Sequence, residues 1–132
     1  MTGWAFSPAN LELHAKAPTE RTSDRRELEE ERIFMTLVLA RFGRTEEAQK
    51  FATAALKYER ELAARNRDSA YQGFELAEAL YVATVAGLGD ANAQLAEADA
   101  IMKKLPAEMQ KLRGVSIWQE RITEERARRR GA

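Results

Sequence analysis

The chain spells one layout twice. In LVLARFGRTEEAQKFATAAL, Leu37 to Leu56, an apolar run with helical spacing reaches a Gly, breaks into polar residues and resumes as an alanine-rich amphipathic run. The same order returns in VATVAGLGDANAQLAEADAIM, Val82 to Met102. A Gly just past an apolar helical run marks a left-handed cap. A small polar residue just before the next run marks a helix start. Each copy therefore encodes a helical hairpin, and the short breaks make consecutive helices antiparallel neighbours.

The rest of the chain fits that frame. Prolines stand only at positions 8, 18 and 106, outside the long periodic segments, and no stretch alternates as a strand does. Ser7-Pro8 opens a short helix that must stop before Pro18. After a polar linker, Asp24 with Glu27 reads as a capping box for the first long helix. Leu28, Met35, Leu39 and Phe42 form its apolar stripe, widened by Phe34, Leu37 and Val38. Gly43 ends it. Thr45 caps the second helix, whose small face carries Ala48, Ala52 and Ala55. Ser69 with Gln72 caps the third helix, with Tyr71, Phe74 and Tyr81 on one face and Leu76, Leu80 and Ala83 on another. Asp90 caps a shorter helix that Pro106 stops. A last helix runs from about Ala107 to Arg128 with Met109, Leu112, Val115, Trp118 and Ile122 on one side.

The expected fold is all-α, with antiparallel helical hairpins stacked as a short solenoid under a C-terminal capping helix. Residues 1–23 form a short helix and linker. Residues 24–132 form the repeat domain, divided into hairpins at 24–66 and 69–106 and a cap at 107–130. Trp118 is expected against the Asp90–Leu105 helix.

Composition narrows the function. Lys+Arg and Asp+Glu both number 21, so the net charge is zero, which argues against a dedicated nucleic-acid or anionic-membrane binder. There is no Cys, so thiolate catalysis, disulfides and Cys-based zinc sites are excluded. No window approaches the roughly 18 apolar residues of a membrane span. The N-terminus lacks the basic start and apolar core of a signal peptide. The expected location is cytoplasmic.

Catalytic chemistry is not legible. His14 is the sole histidine, and Leu at position 11 breaks the Glu-x-x-His spacing of a di-iron helix. Neither metal nor cofactor is expected, and the chain reads as no enzyme. The acidic run Glu27–Glu31, flanked by Arg25, Arg26 and Arg32, reads as a solvated helix face with weak ion pairs. Gly87 and Gly89 lack the third Gly and the Lys of a phosphate loop. The arginines from Arg126 to Arg130 are the only hint of phosphate binding. They read as the basic end of a helix, which the dipole favours.

The Gly-turn-Ala order resembles the tetratricopeptide repeat over about residues 29–106. Gly43, Ala48 and Ala55 match the family's Gly and Ala positions, as do Gly89, Ala98 and the terminal Pro106 in the second copy. The copies are then 46 residues apart, against about 34 for a standard repeat. Arg32 and Glu78 stand where the family often has Trp, Thr36 and Val82 where it has a small residue, and Gln94 where it has Ala. The resemblance implies a protein–protein interaction module. Its groove lies on the first helix of each hairpin, at Ile33, Leu37, Arg41, Leu76, Ala79 and Ala83. The family's carboxylate-clamp residues are absent, so a free C-terminus is not the expected ligand. An apolar groove suits an amphipathic helix or a second copy of the chain. The alternative is a self-association domain, acting as a homodimer without a separate ligand and within a larger regulator.

Overall fold

A computed structural model describes residues 22–130. Six helices are found among them: α1 (Thr22–Arg41), α2 (Thr45–Arg65), α3 (Ala70–Val85), α4 (Ala91–Lys104), α5 (Ala107–Gln110) and α6 (Arg113–Arg130). No described residue is in a strand, so the all-α expectation holds. The helix expected at Ser7-Pro8, together with His14, lies outside the described residues. No described helix is long and apolar enough to cross a membrane.

α1 packs on α2, α2 on α3 and α3 on α4, while α1 also reaches α3 and α4 carries α6. Both hairpin turns close in one way. Gly43 and Gly87 have φ of 76° and 78°. Past each Gly, an N–H reaches back five residues: Arg44 donates to the Leu39 carbonyl and Leu88 to that of Ala83, both at 2.9 Å. This is the bond pattern of a left-handed Gly cap, where any side chain is strained. The equivalent of Gly43 is therefore Gly87, which corrects the pairing with Gly89. The first helices therefore end 44 residues apart, while the second helices, beginning at Thr45 and Ala91, keep the spacing of 46 because the second loop is two residues longer. Gly89, with φ of 69°, belongs to an added loop residue, and a Cβ there would stand 2.6 Å from Gln94 Oε1.

Two of the four expected N-caps among the described residues hold. Ser69 accepts from the Gln72 N–H at 3.1 Å, and Asp90 from the Ala93 N–H at 3.0 Å. Thr45 does not cap; it is the first residue of α2, and Arg44 before it makes no side-chain cap bond. Arg44 instead reaches forward to Glu47 at 2.7 Å. Asp24 lies two residues inside α1 rather than before it. The last helix is broken into α5 and α6. Gln110 Nε2 donates to the Leu105 carbonyl at 2.8 Å and ties α5 back to the end of α4, so the chain turns at Lys111–Leu112 before α6 begins.

Small residues let the hairpins close. Ala48, Ala52 and Ala55 on α2 are buried, the first two against Leu28, Met35, Leu39 and Phe51. Ala98 on α4 is buried with Leu76, Leu80 and Met102. α6 joins this second core through Val115 and Ile122, the latter fully buried. Trp118 packs on the core that α3 and α4 share, and its ring meets Tyr81 of α3 edge-on, with centroids 5.6 Å apart at 85°. Leu112 and Phe42, both expected on apolar stripes, are exposed, because each lies in a turn beyond a helix end.

Candidate functional site

A cleft of about 380 Å³ lies where α1, α3 and α6 meet. α1 contributes Glu30, Ile33, Phe34 and Leu37; α3 contributes Tyr71, Phe74 and Glu78; α6 contributes Gly114, Trp118 and Arg121. In the corrected spacing Glu30 is the counterpart of Phe74, and Phe34 of Glu78. Both first helices thus present the same face to one cleft, one turn apart along each helix. Its walls are largely apolar, with Phe34, Tyr71, Phe74 and Trp118 the aromatic members, the usual make-up of a binding cleft with few polar groups. Arg121 lies over the Trp118 ring, 5.0 Å from the centroid, as a cation–π contact.

Behind the cleft α1, α2 and α3 bury an unusual set of charges. Glu29, Arg32, Glu59, Gln72 and Glu75 are all buried. Arg32 Nη1 donates to both Glu29 oxygens, at 3.0 and 2.8 Å. Gln72 Nε2 donates to Glu59 Oε2 at 2.7 Å. The Ser69 N–H donates to the Asn66 carbonyl at 3.0 Å rather than to Gln72, so the capping box is only half made. Arg32 Nε is buried with no hydrogen-bond partner. Among the described residues acids outnumber cations here, and Glu78 lies beside them. Burial pushes its carboxyl up to about 8, with Glu75, Glu30 and Glu59 adding to the effect and Arg121 partly opposing it. Tyr81, beside Trp118, is also raised by burial and by the nearby Glu125.

The groove residues expected from sequence separate into two groups. Ile33 and Leu37 line the cleft, and Arg41 is exposed at the end of α1. Leu76, Ala79 and Ala83 are in the core, 7%, 1% and 0% exposed. A two-residue shift of register turns a helix by about 200°. It moves Leu76, Ala79 and Ala83 to Phe74, Ala77 and Tyr81, of which Phe74 lines the cleft while Ala77 is still core. The signal was present in the departures from the repeat pattern. Arg32, Thr36 and Gln94 are buried polar residues, and Glu78 lines the cleft. Gln94 Nε2 donates to the Leu88 carbonyl at 2.9 Å and to Thr84 Oγ1 at 3.1 Å, bracing the second turn where an Ala has nothing to offer.

The acidic run does not behave as one solvated face. Glu27 and Glu30 are exposed, but Glu29 is buried and paired. Among the described residues no group of three or more His, Cys, Asp or Glu is placed to hold a metal ion. The C-terminal arginines are mostly engaged within the protein. Arg126 pairs with Asp99 at 2.7 Å, and Arg128 and Arg129 both pair with Glu125.

No family model, curated protein or solved structure matches this chain. What defines the site is its geometry: an aromatic cleft over a helical-hairpin pair, with a buried, acid-rich cluster beneath it.

Proposed function

We propose that the protein is an interaction module whose α1–α3–α6 cleft receives an apolar helical segment of a partner protein. The carrying observation is that equivalent positions of the two first helices line one aromatic cleft. Grooves of this kind take the apolar face of an amphipathic helix through residues spaced three and four apart. The paired Gly-capped turns and the small faces of α2 and α4 support a short tetratricopeptide-like stack beneath it. α6 covers the second hairpin through Val115 and Ile122, as a terminal cap does.

Site-specific photo-crosslinking in cells tests this. A crosslinker at Leu37, inside the cleft, is expected to give a discrete protein adduct. One at Lys57, on the exposed side of α2, is expected to give none. Adducts from both positions or neither overturn the proposal. Light scattering of the purified chain separates partner binding from self-association: a monomer alone fits the module, and a stable dimer fits the alternative.

A further inference from the structure

We infer that the segment occupying the cleft carries a lysine or arginine on its apolar face, and that this cation pairs with Glu78. The inference rests on the proposed role of the cleft and specifies the chemistry of its occupant. Glu78 lines an otherwise largely apolar cleft, and no hydrogen bond or ion pair joins it to a described residue. Arg121, the cation among the lining residues, is turned onto the Trp118 ring. Glu78 is faced by Glu30 from α1, Glu59 from α2, Glu75 from its own helix and Arg121 from α6. Arg32 is already committed to Glu29. The cleft thus offers an apolar body around one ionisable carboxyl, and among the described residues no cation is bonded to it. An apolar occupant seals Glu78 from water without a partner, and an acidic one is repelled. A basic side chain satisfies the carboxylate while its stem lies along the aromatic walls.

Such binding is coupled to a proton. The free carboxyl titrates at about 8, so near neutrality it is largely protonated. A docked cation favours the ionised form and expels that proton. Affinity for a basic occupant then rises with pH, by about tenfold per unit below 8, and levels off above it.

The test uses the full chain with Trp4→Phe, so that indole signals come from Trp118. The probes are four synthetic amphipathic helices with one Leu/Ala apolar face, differing at one central position: Lys, Arg, norleucine or Glu. At pH 8.5 the Lys and Arg peptides are expected to bind roughly tenfold or more tighter than norleucine, with Glu weakest. In Glu78→Gln that preference and the pH dependence are expected to vanish, while the norleucine peptide still binds. The Glu78 carboxyl resonance is expected to titrate at lower pH once the Lys peptide is bound. Equal binding of Lys and norleucine peptides to the unaltered cleft overturns the inference and leaves the cleft as an apolar docking site. Binding by none of the four overturns both.

Discussion

The two hairpins share a turn but differ in the polar groups buried beside it. At the second turn Thr84 and Gln94 are neutral, and Gln94 donates to Thr84 and to the Leu88 carbonyl. Farther along α4, Asp99 is buried and paired with Arg126. In the first, the turn at Gly43 is apolar on its inner side, and the polar residues lie toward the far end. There Glu29, Arg32 and Glu59 are charged, and they meet Gln72 and Glu75 of α3. Neutral amides brace a loop at little electrostatic cost. Buried charges do not, because desolvation opposes their attraction. A fold needs the first kind of contact to close its turns. It does not need the second, and the charged end is where the cleft opens. Under the proposed function, the turn end serves stability and the charged end serves binding.

The comparison breaks most visibly at Arg32. Arg32→Met leaves the buried Glu29 carboxylate without its guanidinium and is expected to destabilise by about 3–5 kcal/mol in urea denaturation. The double variant Arg32→Met, Glu29→Leu is expected to recover most of that loss. If the single variant is as stable as the parent, the charged end is not as dry as described. Next comes the seal between α6 and the second hairpin. Ile122→Ala is expected to cost about 2–5 kcal/mol, and Trp118→Ala less, since Trp118 lies at the cleft and is only partly buried. The reverse order in thermal melts returns the capping role to Trp118.

Glu78→Gln sharpens the comparison through pH. The folded carboxyl titrates at about 8 against an ordinary 4.5, so the folded state holds the extra proton between those values. Stability therefore falls as pH rises through that window and is flat above it, opposite in sign to a salt-bridged carboxylate. Glu78→Gln removes this slope and is expected to gain roughly 1–3 kcal/mol above pH 8, read from urea curves at several pH values. No change in slope places Glu78 in contact with water. The smallest effects fall on the shared turn. Gly43→Ala and Gly87→Ala are each expected to cost about 1–2 kcal/mol, nearly alike, because both occupy the left-handed position of the same cap. A clear inequality in denaturation midpoints breaks the equivalence of the two turns.

Much of this molecule was written locally. The caps at Ser69 and Asp90, the stop at Gly43 and the small faces at Ala48, Ala55 and Ala98 follow from nearest-neighbour chemistry, and the structure bears each out. So does the all-helical class, because the hydrophobic period is a property of the chain itself. What the sequence could not decide is which of two nearby glycines carries the second cap. Gly87 and Gly89 are both left-handed, and only the bond from Leu88 to Ala83 distinguishes them. That choice rotates α3 by about half a turn in the repeat alignment and puts Phe74 at the cleft in place of Leu76. The burial of Glu29 was equally beyond local reading. Its neighbours Glu27 and Glu30 are the same residue type on the same helix, yet they are exposed. Whether a carboxylate meets water depends on which helices arrive beside it, and that is settled when α2 and α3 close on α1. The cleft exists for the same reason: α6 brings Trp118 and Arg121 to a face some forty residues earlier in the chain, a meeting that only tertiary packing makes.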